Sequence, residues 1–149
     1  TYIYSFILGG SSDSLLFKKL RQDNSLCYYA DSNYVLFYQM LEINVGLESE
    51  NYDKAVTLVK EAIQDIANGK ISEEDIEKAK VTYKNAWKEI LDNPLSIINM
   101  YLAHVYYNLD LVDERINKIN KITKEDIIAL AHKISLNATY LLKGMNENE

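Results

Sequence analysis

The hydrophobic pattern of this chain changes period once, and that change constrains the fold more than any other feature. Across Tyr34 to Leu47 the odd positions read Val35, Phe37, Gln39, Leu41, Ile43, Val45 and Leu47, while Glu42 and Asn44 make the even side polar. Alternation by two marks a strand with one buried face. A shorter Tyr-rich segment, Leu26 to Ser32, precedes it, and Asp31-Ser32-Asn33 predicts a hairpin turn between two antiparallel strands. From residue 50 onward the period is helical. Tyr52, Val56, Val59, Ile63 and Ile66 form one stripe, which Asn68-Gly69 closes. Ser72-Glu73-Glu74-Asp75 opens a second helix as a capping box, with Ile76, Ala79, Tyr83, Ala86, Trp87 and Ile90 as its stripe. Asp92-Asn93-Pro94 breaks it, and a third helix follows with Ile97, Ile98, Tyr101, Leu102 and Val105 inward. Val112, Ile116 and Ile119 mark a short helix, and Thr123 caps a last one. Ala138 to Leu142 predicts a final strand, and Gly144 to Glu149 a frayed acidic tail.

Strands grouped together and helices grouped together predict an α+β fold, an antiparallel sheet with helices packed on one face. Upstream, Gly9-Gly10 ends an apolar run from Tyr2, and Ser11-Ser12-Asp13 offers cap chemistry for a helix over roughly residues 12–22. No repeat or linker divides the chain, so its 149 residues are expected to form a single domain.

Composition narrows the function. A formal net charge of −6 lacks the phosphate-neutralising surplus of a nucleic-acid binder. No apolar stretch is long enough to span a bilayer, so no membrane partner is expected. One Cys excludes an internal disulfide, and with two His it leaves too few soft ligands for a closed structural zinc site. Cytoplasmic residence is the default expectation. No phosphate loop, nucleophile elbow, H-E-x-x-H or H-x-x-E-H motif occurs. His104 and His132 read as ordinary helix histidines, and Cys27 as a thiol packed on one sheet face.

One constellation stands out. Arg21 ends a predicted helix, and Tyr28 follows seven residues later on a strand, across the turn Gln22-Asp23-Asn24-Ser25. A guanidinium and a phenol held by rigid neighbouring elements can bond the carbonyls of an extended peptide, and the phenol can donate to an oxyanion. The alternative is plain: Arg21 caps its helix and Tyr28 fills a half-exposed strand position.

Leu8-Gly9-Gly10 through Leu20-Arg21-Gln22 to Ser25-Leu26-Cys27-Tyr28-Tyr29 resembles a stretch of the insulinase/pitrilysin/mitochondrial-processing-peptidase family, the inverted zinc metallopeptidases. The segments Glu73 to Lys80 and Ile119 to Ile134 are similar to its later helices. The resemblance implies a C-terminal domain of metallopeptidase-like, LuxS/processing-peptidase type, beginning after the domain's first strand and so incomplete at its N-terminus. It implies that residues 1–8 end a helix rather than form a strand. It casts Arg21 and Tyr28 as substrate-binding, with Tyr28 also stabilising the transition state, and places zinc in an absent N-terminal half rather than in this fragment. The implied partners are a peptide or protein substrate and an N-terminal zinc-bearing domain or partner subunit. An open sheet edge is expected to pair with another copy, as a homo-oligomer, or with the missing half. Departures from the family pattern are Ser25, where the family has Gly, and Cys27, where it has Ala. Such variants resemble a bacterial subgroup in which some members lack the zinc motif. Two readings follow: the substrate-cradling domain of a zinc-dependent endopeptidase, inactive alone, or a non-catalytic interaction domain of an inactive homologue.

Overall fold

Secondary structure is described here for residues 1–143 of a computed structural model. The order of elements is α1 (Tyr2–Gly9), β1 (Cys27–Val35), β2 (Met40–Leu47), α2 (Tyr52–Ala67), α3 (Glu73–Glu89), α4 (Pro94–Tyr107), α5 (Val112–Asn120) and α6 (Lys124–Ala131). A π-helical segment, Phe17–Gln22, stands between α1 and β1. The fold is α+β, largely helical with a two-stranded antiparallel sheet. The described residues form two compact units, 1–71 with 127–143, and 72–126.

In the first unit, α1 packs on β1, and the π segment packs on both β1 and α2. Residues 2–9 are helical, as the family resemblance implies. Their core is Ile3, Tyr4, Ile7 and Leu8, joined in burial by Leu16, Leu20, Leu26, Ala55, Ala62 and Ile66. Gly9 is read from sequence as a stop, and α1 does end there; it also serves a close approach. A Cβ there would lie 2.5 Å from the Ser32 backbone nitrogen. That approach lets the buried Ser5 hydroxyl donate to the Ser32 carbonyl at 2.8 Å.

Three sequence expectations change in this unit. The hairpin turn is not Asp31-Ser32-Asn33, which lies inside β1; the chain reverses over Leu36–Tyr38, with Gln39 in the left-handed region at φ 49°. Pairing of Asp31 with Asn44 and Ser32 with Ile43 shows why. These polar residues are held by the ladder and by side-chain bonds from Asn33 and Asn44 to Asp31, so their turn propensity is overridden. The helix expected over 12–22 starts later, at Leu15, and runs into the π segment. Ala138 to Leu142 has no strand pairing. A strand is defined by its neighbour, and none of the described residues supplies one. The expected tail, 144–149, lies outside the described residues.

In the second unit α3 packs on α5. Ser72 and Asp75 close the expected capping box, with the Asp75 N–H donating to Ser72 Oγ at 3.0 Å. Asn93 caps α4, and Pro94 takes its first turn, where its missing N–H costs nothing. The inward stripe expected for α4 is not buried. Ile98, Tyr101, Leu102 and Val105 are exposed, and Met100 is its buried residue.

Candidate functional site

Arg21 and Tyr28 are brought together by two local irregularities. The first is the π segment. Its wider turn carries Leu20 inward, fully buried, and leaves Arg21 exposed beside it. Lys19 anchors the segment to α2 through Asp65, at 2.8 Å. The chain then leaves through a tight turn, with Ser25 N–H donating to Arg21 O at 3.0 Å and Leu26 N–H to Leu20 O at 2.8 Å. Ser25 takes φ 52°, which explains why a glycine suits this position.

The second irregularity is a β-bulge at Tyr28. Cys27 pairs with Leu47 and Tyr29 with Gly46, so Tyr28 has no partner in the register. A bulge re-aims a side chain and frees its backbone from the ladder. Both effects are visible. The Tyr28 carbonyl accepts from Arg21 Nη1 at 2.8 Å, and the Tyr28 side chain stands 63% exposed. The neighbouring Tyr29 ring lies across Gly46, where a Cβ would collide with it.

The Arg21 guanidinium therefore rests on the Tyr28 backbone, and both side chains are reachable from solvent. The Arg21 guanidinium carbon lies 5.2 Å from the centroid of the Phe17 ring, a cation–π contact that limits its swing. A guanidinium has five N–H donors, and the bond to Tyr28 uses one. The phenol is already engaged, because Tyr28 Oη donates to Glu48 Oε1. That acceptor and its charge hold the phenol above its usual value of 10 and so keep it protonated. Glu48 was not singled out from the sequence. It follows directly after Leu47, the partner of Cys27, so finding it requires the true register.

Other candidates resolve simply. Cys27 is buried, and desolvation raises its thiol pKa, which opposes nucleophilic use. His104 Nδ1 donates to the Leu109 carbonyl at 2.8 Å, closing the end of α4, where Asn108 turns left-handed at φ 52°. Among the described residues no group of three or more His, Cys, Asp or Glu is placed to hold a metal, so these residues do not fit a zinc site. Among them, too, no helix is long and apolar enough to cross a membrane.

Comparison with known proteins follows from this geometry. A family profile described as the peptidase M16 inactive domain matches residues 1–83, more than half of the chain. The probable inactive metalloprotease YmfF of Bacillus subtilis is 33% identical over 143 residues, covering 95% of this chain and 34% of that protein. A conserved protein from Enterococcus faecalis superimposes with a TM-score of 0.80 at 28% identity, over 89% of this chain and 32% of that one. A peptidase M16 inactive domain from Pseudomonas fluorescens has the same fold, with a TM-score of 0.75 at 20% identity, over 91% of this chain and 33% of that one. The chain thus spans about a third of the length of these relatives.

Proposed function

Since the chain belongs to the peptidase M16 inactive-domain family, we propose that its 149 residues act as one C-terminal, non-catalytic domain that cradles an extended peptide on Arg21 and Tyr28. The observation that supports this reading is the bulge at Tyr28. It leaves the Tyr28 side chain exposed and seats the Arg21 guanidinium against the Tyr28 backbone carbonyl, so both side chains project from one short stretch of ordered backbone. An extended peptide presents a carbonyl every 3.2–3.4 Å or so along its length. Arg21 serves one carbonyl with its remaining N–H groups. Tyr28 serves a second once its proton leaves Glu48, so Glu48 competes with the guest and tunes its affinity. No bond is broken by these groups alone, for they supply neither a nucleophile nor a metal site. The similarity to a probable inactive metalloprotease favours this non-catalytic reading over a zinc-dependent parent with its metal in an N-terminal domain.

The test is fluorescence anisotropy of the chain with a library of fluorescein-labelled extended decapeptides. Peptides that bind should lose about tenfold in affinity with Arg21→Ala, the worth of one charge-assisted hydrogen bond. Tyr28→Phe should cost a few-fold, and Glu48→Ala should tighten binding by releasing the phenol. Binding that ignores all three substitutions would overturn the proposal. Chelator-sensitive peptide hydrolysis by the full-length protein, lowered by Tyr28→Phe, would instead establish the zinc-peptidase reading.

A further inference from the structure

Glu48 gives the Arg21–Tyr28 site a second sign of charge. The residue follows β2 and stands at the N-cap of the short 3₁₀ turn Ser49–Asn51. A side-chain oxygen at that position can accept from the backbone N–H groups of the turn it opens. That of Glu48 forms no such cap bond. It reaches back to β1 instead, where Oε1 accepts from the Tyr28 hydroxyl. Its backbone is fixed meanwhile, because the Glu48 carbonyl accepts from Asn51 N–H at 2.9 Å. The side chain is exposed. Among the described residues no cation pairs with it, and no donor reaches Oε2. Arg21 lies at the other end of the same tyrosine, donating to its backbone carbonyl. It too has no carboxylate partner among the described residues. A cation and an anion thus stand at opposite ends of Tyr28, a span of roughly two residues on an extended chain that rises about 3.3 Å per residue.

We infer that Glu48 selects the guest, and that the site takes extended peptides carrying a lysine or arginine beside the carbonyl that Tyr28 serves. This inference rests on the reading of Arg21 and Tyr28 as carbonyl donors. When the phenol turns its proton to the guest, the Glu48 carboxylate loses its donor. With a neutral guest, water alone takes the vacated place. A basic guest fills it with an ammonium or guanidinium in a charge-assisted bond, and Oε2 is open to a second. The exchange therefore costs a neutral guest a hydrogen bond and gives a basic one an ion pair. Arg21 fixes the register. A cation two residues away, at the far end of Tyr28, would face the guanidinium and be repelled. An acidic side chain beside Glu48 would be repelled likewise. The charge of the whole chain acts in the same direction. With 22 acidic against 16 basic residues and a formal net charge of −6, its field draws cationic guests and turns anionic ones away. Glu48 thus holds two roles, a brake on guests without a cation and a ligand for guests with one.

The test takes a decapeptide that binds the chain in the anisotropy assay and replaces each of its positions in turn with Lys, Gln or Glu. At one position Lys should bind about three- to tenfold tighter than Gln, the range from an exposed ion pair to a charge-assisted hydrogen bond, and Glu should bind weaker than Gln. That preference should shrink between about 50 and about 300 mM salt, because the pair is exposed. Glu48→Gln keeps an acceptor without the charge and should level the Lys and Gln peptides. Glu48→Lys should reverse the order and favour the Glu peptide. Glu48→Ala should tighten the Gln peptide, which gains a free phenol, and weaken the Lys peptide, which loses its partner. Far-UV circular dichroism reports whether each variant folds, and the folded ones decide. A scan without a Lys preference at any position overturns the inference, as does a preference that persists in Glu48→Gln and Glu48→Ala. In either case a loss of affinity with Arg21→Ala leaves the two-donor reading standing. A Glu48-dependent preference that Arg21→Ala does not weaken supports Glu48 as the selecting residue and removes Arg21 from the site. A library in which nothing binds overturns both.

Discussion

Gly9→Ala tests the contact that locks α1 onto the sheet. Helix propensity by itself predicts a gain of about 1 kcal/mol, since alanine replaces glycine within a helix. Packing predicts the reverse. The new methyl carbon would stand 2.5 Å from Ser32 N, 2.6 Å from Ser32 Cβ and 2.8 Å from the Asp31 carbonyl carbon. Ordinary carbon contacts lie near 3.5–4.0 Å, so α1 must retreat by roughly 1 Å. Overpacking of this kind costs about 1–3 kcal/mol. The retreat also stretches the 2.8 Å bond from Ser5 Oγ to Ser32 O beyond hydrogen-bond length. A buried hydroxyl and carbonyl then lose each other, for a further ~1–3 kcal/mol. After subtracting the propensity gain, the net loss is about 1–5 kcal/mol. Urea denaturation followed by far-UV circular dichroism measures it. The double variant with Ser5→Ala adds a second check. Because the retreat and the deletion break the same bond, the pair should cost about 1 kcal/mol less than the sum of the singles. A stabilised Gly9→Ala, or strict additivity of the pair, would refute the close-approach argument.

Ser25→Gly should stabilise the chain by about 0.5–1 kcal/mol in the same assay, since it relieves a left-handed residue at φ 52° against the entropy cost of glycine; a loss of stability would show that the Ser25 side chain is needed. Tyr4→Phe should be neutral or stabilising by up to about 1 kcal/mol, because the Tyr4 hydroxyl is buried without a hydrogen-bond partner among the described residues. A loss above about 1 kcal/mol would reveal a partner for it. Asp65 accepts from Lys19 and Lys70, each at 2.8 Å, and these bonds hold its carboxyl below its usual 3.8. A depressed carboxylate pKa stabilises the fold above the unfolded value and loses that contribution as the pH falls from about 4 through the folded value. Asp65→Asn should therefore lower stability by about 1 kcal/mol at pH 7 and flatten the acid limb below pH 4. An unchanged acid limb would remove the Lys19–Asp65 bond from the account of how the π segment is held.

The sequence-level reading succeeded where one physical rule acts alone. The Ser72–Asp75 capping box and the proline start of α4 are local devices, satisfied within one helical turn whatever surrounds them. It misplaced features that two distant segments decide together. Asp31-Ser32-Asn33 has turn chemistry, but β2 lies beside it, and a ladder outweighs local propensity. The α4 stripe has helical spacing, yet spacing names the face that needs cover without saying what supplies it.

The hairpin error also hid half of the candidate site. A turn at 31–33 sets Tyr28 opposite a residue near position 36, whereas the true register sets its neighbours Cys27 and Tyr29 against Leu47 and Gly46. Only with that register does Tyr28 emerge as the extra residue of a bulge, and only then does Glu48 come within reach of the phenol. Arg21 and Tyr28 were legible because the turn between them is short and they approach each other through local backbone. Glu48 was not, because twenty residues and an exact strand alignment separate it from Tyr28. The same alignment leaves the far edge of β2 without a strand partner among the described residues, beside the half-buried Val56 and Val59 of α2.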